Sequence, residues 1–138
     1  MRAMKSNDQF EVKAKDVVIH FPEGLIGLAE CKDFVLIENP NLAPFRQLKC
    51  VDSPQIGFLV LQATTVITNF FAYVPVREWE SLGISPTKES AFVIVIISST
   101  PETSTGNFQA PLLVNYEKMI GKQLILTDAA LSRRHPLV

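Results

Sequence analysis

The stretch Ala91-Phe-Val-Ile-Val-Ile-Ile97 is the most β-branched run of this 138-residue chain, and it constrains the fold more than any other segment. β-Branched side chains fit a pleated surface, and an unbroken apolar run reads as a strand buried on both faces. Other segments alternate instead. Phe10, Val12 and Ala14 stand against Glu11 and Lys13, and Val17, Ile19 and Phe21 stand against His20, the period of a half-buried strand. Further strands are expected at Phe34–Ile37, 45–51, 56–62, 70–76, 108–115 and 121–127. Asp52-Ser53-Pro54 is turn chemistry, so 45–51 and 56–62 should form a hairpin with Phe58 turned into the core. A single helix is expected at Arg77–Leu82, where Trp79 and Leu82 make a narrow apolar stripe and Gly83 ends it. The Pro22, Gly24 and Gly27 cluster forces a loop, and 98–107 is a polar loop. Many short strands separated by turns imply one all-β domain over residues 1–138, mostly antiparallel, a barrel or sandwich with one short helix.

Composition removes several classes of function. A chain with 47% hydrophobic and 20% charged residues is not disordered. A formal net charge of -1 leaves no global basic excess for gripping a phosphate backbone. Cys31 and Cys50 read as reduced thiols; their spacing is not that of a zinc site and neither His20 nor His135 lies beside them. No bound metal and no cofactor are expected. The chain has no nucleophile elbow, phosphate loop or dinucleotide fingerprint, and its carboxylates are spread singly, so no catalytic residue can be nominated. Charges scattered through residues 1–15 leave no room for a secretory signal, which points to a cytoplasmic protein. The uncharged run Ser53–Val76 is broken by Thr64, Thr65, Thr68 and Asn69, so it reads as two strands and a turn rather than a membrane span.

Several stretches taken together resemble the flagellar assembly factor FliW family. They are FPEGLIGLAECKDFVLIE (21–38), PFRQLKCVDSPQIGFLVLQ (44–62), TGNFQAPLLVN (105–115), GKQLIL (121–126) and SRRHPL (132–137). The family pattern places its opening loop on Phe21, Pro22, Glu23, Gly24, Leu25 and Gly27, its central turn on Asp52 and Pro54, and its late signature on Asn107, Ala110, Pro111, Asn115 and Gln123. Gln62-Ala63 stands where the family usually carries Asp-Pro. The resemblance implies a small, strongly twisted β-barrel-like domain without catalysis. It implies two protein partners, flagellin and the translational regulator CsrA, which the free factor holds away from flagellin mRNA. Direct nucleic-acid binding, membrane association and a small-molecule substrate are not implied.

Against that background the contact candidates are loop residues: Glu23, Leu25, Asp52, Asn107 and Phe108. Phe108, set between polar Asn107 and Gln109, either folds inward as a plug or faces outward as an aromatic anchor, and it is the loop's first candidate for partner contact if it faces outward. Glu23 and Asp52 would complement a basic partner surface. Two rival readings stand beside this one, a barrel that holds a small ligand and an OB-like nucleic-acid binder. Phe58, Phe92 and Ile94 turned inward would fill the first, and the lack of Lys or Arg among the aromatics argues against the second.

Overall fold

The computed structural model describes residues 16–98, 100 and 103–138. The alternating segment Phe10–Ala14 lies outside them. The strands are β1 (Val17–His20), β2 (Asp33–Ile37), β3 (Arg46–Cys50), β4 (Gly57–Gln62), β5 (Ala91–Ile96), β6 (Thr105–Gly106), β7 (Leu112–Asn115), β8 (Ile120–Gln123) and β9 (His135–Pro136), with one helix, α1 (Val76–Leu82), among the described residues. Neighbours run β4-β3-β2-β1-β8-β7-β5, and β5 pairs back onto β4, so these seven strands close a barrel. Closure leaves no edge in that ring. β6 and β9 extend the sheet beyond β5, with Val95 opposite Gly106 and Gly106 opposite His135. All ring pairings are antiparallel except β1 with β8.

Alternation along the strands fills two separate cores. Ile19, Phe34, Leu36, Leu48, Cys50, Val60, Phe92, Leu112 and Val114 point to the barrel axis together with Phe21 and Leu25 from the first loop. Phe58 and Ile94 pack against this inner core while only half-buried. The other face of β4, β5 and β7 carries Leu61, Ala91, Val93, Val95 and Leu113, which meet Phe70, Trp79, Leu82, Phe108, Leu124, Leu126 and Leu131. β5 therefore meets a core on each face over Ala91–Val95, with Ile94 alone half-buried, in keeping with its composition. Its end is not: Ile96 is 68% exposed.

The expected helix is present, burying Trp79 and Leu82. Gly83 ends it at φ +81°, and the Ile84 amide reaches back to the Trp79 carbonyl at 3.1 Å. The hairpin 45–62 is present in the expected register, with Leu48 opposite Phe58. A tight connection joins β7 to β8, with Val114 opposite Gly121. A Cβ at Gly121 would lie 2.5 Å from the Phe21 ring, so the first loop can seat its aromatic only against glycine.

Three expectations fail. Residues 70–76 form no strand; Phe70–Tyr73 is a 3-10 turn preceded by another at Ala63–Thr65. The closed ring offers this segment no partner, and its amides instead bond locally, Phe70 to Ile67, Ala72 to Asn69 and Val74 to Phe71. The last two strands are also shorter than expected: Phe108–Ala110 turns inward before β7 begins, and β8 ends at Gln123. Finally, Cys31 and Cys50 are not free thiols but form a disulfide. Cys50 sits opposite Phe34 in the β2–β3 register, and the chain entering β2 brings Cys31 to within 6.3 Å of it, Cα to Cα. No helix among the described residues is long and apolar enough to cross a membrane.

Candidate partner-binding end of the barrel

Strand registers determine which loops share an end. His20 faces Asp33, Phe34 faces Cys50, Lys49 faces Gly57, and Leu59 faces Val95. The loop 21–32, the turn 51–56 and the exposed end of β5 thus emerge from the same end of the barrel. The disulfide joins the first two covalently. The Val51 amide donates to the Asp33 carbonyl at 2.9 Å, and the Cys50 amide to the Ile56 carbonyl at 2.9 Å, so the turn is tied to both neighbouring strands.

The opening loop is built as a lid pinned from below. Phe21 and Leu25 are buried in the inner core, and the Gly24 amide donates to the Phe21 carbonyl at 2.8 Å. The Leu28 amide donates to the Leu25 carbonyl, also at 2.8 Å. Gln123 then bridges two segments: its Oε1 accepts from the Ile26 amide at 2.8 Å, and its Nε2 donates to the Ala110 carbonyl at 3.1 Å. The opening loop and the late signature, distant in sequence, meet through this one side chain. Beside the loop lies a groove of about 250 Å³ whose walls include Glu23, Leu82 and Lys122. Lys122 Nζ donates to Glu78 Oε1 at 2.8 Å, joining β8 to α1.

The five nominated residues separate in this geometry. Glu23 and Asp52 are exposed, and both lie at the loop end. Leu25, 3% exposed, is a buried anchor of its loop, so it is removed from the contact set. Phe108, at 0%, is removed as well. Its ring stands edge-on to Phe70 at 5.8 Å and lies 4.9 Å from the His135 ring, and its amide donates to the Ser132 carbonyl at 3.0 Å. The aromatic that follows the polar loop plugs the outer core because the C-terminal segment folds over it. Asn107 is half-buried beside the middle of β5; its amide donates to the Ile94 carbonyl at 2.9 Å, and its Oδ1 accepts from the Gln109 amide at 3.2 Å. That is a turn-forming role away from the loop end.

Ile26, 61% exposed, was missed. A signal for it exists: Leu25 and Ile26 are adjacent on a turn bounded by Gly24 and Gly27, so both cannot point inward. With Glu23, Asp52 and Ile96 it gives this end a mixed apolar and acidic surface.

The opposite end has a different character. Arg46 lies with its guanidinium 5.8 Å from the centre of the Phe92 ring, and its Nη2 is 4.0 Å from Glu38. Burial raises the Tyr116 phenol above its usual value, opposed by the positive charge of Arg46 beside it. The Tyr116 hydroxyl donates to the Glu89 carbonyl at 2.8 Å. A groove of about 290 Å³ there is bordered by Asp16, Glu38, Arg46 and Tyr116. Arg46 thus meets the Phe92 ring, Glu38 and Tyr116 at this end.

Comparisons with known proteins agree with this architecture. The sequence model of the family described as "FliW protein" matches residues 3–137. A flagellar assembly factor FliW from Bdellovibrio bacteriovorus is 35% identical over 130 residues, covering 94% of this chain and 74% of that protein. The Geotalea uraniireducens protein of the same name is 32% identical over 120 residues, 86% of this chain and 73% of its own. A crystal structure of the flagellar assembly factor FliW superposes with a TM-score of 0.79 at 29% identity, covering 93% of this chain and 89% of that one. A family match along nearly the whole chain, with the same fold, means that this chain belongs to the FliW family.

Proposed function

We propose that this chain is a non-enzymatic flagellar assembly factor of the cytoplasm. It binds flagellin and, when flagellin is scarce, binds the translational regulator CsrA and keeps it from flagellin mRNA. The observation that carries this reading is the match over residues 3–137 to a family whose named relatives are flagellar assembly factors. The fold supports it. Phe21, Phe34, Phe92 and Leu112 occupy the barrel axis, which leaves the interior to side chains rather than to a small ligand. Phe21, Phe34, Phe70, Phe92 and Phe108 are fully buried, so they form no stacking platform for bases. Recognition is therefore assigned to the surface, at the end that carries Glu23, Ile26 and Asp52.

Partner switching requires that the two partners disfavour each other on this barrel. A coupling of about 1–3 kcal/mol shifts the second affinity about 5–150-fold, and direct overlap exceeds that. The test is calorimetric titration of the purified chain with flagellin, with CsrA, and with CsrA after saturation by flagellin. Binding of each alone and loss of CsrA binding to the saturated chain is the expected result. Absence of binding to either protein overturns the proposal.

A further inference from the structure

We propose that the Cys31–Cys50 disulfide is a redox clamp on the partner-binding end, so that oxidation holds the opening loop and the central turn in their binding arrangement and reduction releases them. The regulatory part rests on the reading above that this end meets flagellin.

The placement of the bridge carries the argument. Cys31 closes the opening loop and Cys50 is the last residue of β3, so the bond joins the two segments that hold exposed Glu23 and exposed Asp52. Both cysteines are buried in the inner core, with relative exposures of 5% and 1%. Besides the bridge, the loop is held by the Phe21 amide bond to the Lys32 carbonyl at its base, single backbone bonds at Gly24, Leu28 and Cys31, and the Gln123 bridge to the Ile26 amide. Phe21 and Leu25 anchor its first half in the core, whereas Ala29 and Glu30 are exposed, leaving the half next to Cys31 most dependent on the bond. In a thiol-reducing compartment a bridge of this kind is transient and reports oxidation.

The chemistry is thiol–disulfide exchange with a dithiol reductant. One thiolate of the dithiol attacks a bridge sulfur, the sulfur–sulfur bond breaks, and the released cysteine thiolate takes up a proton. The second thiol of the reductant then displaces the protein from the mixed disulfide. Two electrons and two protons pass to the protein as the dithiol becomes a disulfide. Burial makes attack depend on lifting of the loop, which couples its motion to the redox state.

The experiment uses the full chain, oxidised and after dithiothreitol, beside the Cys31→Ser/Cys50→Ser double variant. Alkylation under denaturing conditions should find no free thiol in the oxidised chain and both cysteines free after reduction. Reduction should speed amide exchange severalfold in residues 22–31 and 51–56 and weaken flagellin binding about fivefold or more. The folded double variant should behave as the reduced chain in both buffers. Free thiols persisting after treatment with diamide, or equal exchange and equal affinity in the two redox states, overturns the clamp. If flagellin binds neither form, the proposed function falls, and amide exchange alone still decides whether the bridge holds the loops.

Discussion

β5 has a different core on each side, and the two were assembled by different rules. The inner core sits inside a closed ring in which β1 to β5 and β7 contribute alternate residues, so Ile19, Phe34, Leu48, Val60, Phe92 and Leu112 meet on one axis. The outer core has a regular side, the backs of β4, β5 and β7, and an irregular cover of one short helix, 3-10 turns and the chain's last residues. Phe70, Phe108, Leu126 and Leu131 of that cover belong to no strand. Apolar burial does not depend on regular backbone; it requires only that the amides find partners, as Phe70 does locally at Ile67 and Phe108 does in the C-terminal segment at Ser132.

The sharpest way to break this comparison is to truncate one aromatic on each side. Phe34→Ala and Phe108→Ala should each cost about 3–5 kcal/mol, measured by urea denaturation. If Phe108→Ala were nearly neutral, the cover would be a loose skin rather than a second core.

The contrast also explains what was legible in the sequence. The hairpin 45–62, β5 and the stripe of α1 were readable because their period or turn chemistry is local. The segment 70–76 was not, because an apolar run looks alike whether it pairs as a strand or wraps over one. Phe108 misled for the same reason: polar neighbours mark a loop, but they do not say whether the C-terminal segment will return over it. The disulfide depended on the β2–β3 register bringing Cys31 to Cys50, which a separation of 19 residues does not reveal. At the site, Glu23 and Asp52 are surface residues, whereas of the adjacent pair Leu25 and Ile26 the first is buried and the second exposed.

Next in size is the staple at the loop end of the inner core. Loss of the bridge in Cys31→Ser/Cys50→Ser should lower stability by about 3 kcal/mol relative to the oxidised chain, through the loop it closes in the unfolded ensemble. Denaturation in oxidising and reducing buffers checks this, since the double variant should be indifferent to the buffer. A smaller effect is expected where α1 is joined to the barrel. Asn115 is buried, its Nδ2 donates to the Leu82 carbonyl at 2.8 Å, and its Oδ1 accepts from the amides of Glu117 and Lys118 at 2.9 and 3.1 Å. Asn115→Ala strands these groups and should cost about 1–3 kcal/mol, with faster amide exchange in the last turn of α1. Smallest is the Lys122–Glu78 pair, whose side chains are 33% and 21% exposed. Lys122→Ala should cost no more than about 1 kcal/mol, and less in high salt.

The central functional claim is that partners meet the loop end through exposed residues while Phe108 serves only the outer core. Titration of flagellin into wild type and Glu23→Lys, with a thermal melt of each, tests it most directly. The account predicts an affinity loss of about fivefold or more, roughly 1 kcal/mol on the usual scale, with an unchanged melting temperature. Equal affinity for the two proteins, both fully folded, would contradict the assignment of flagellin binding to Glu23 and the opening loop.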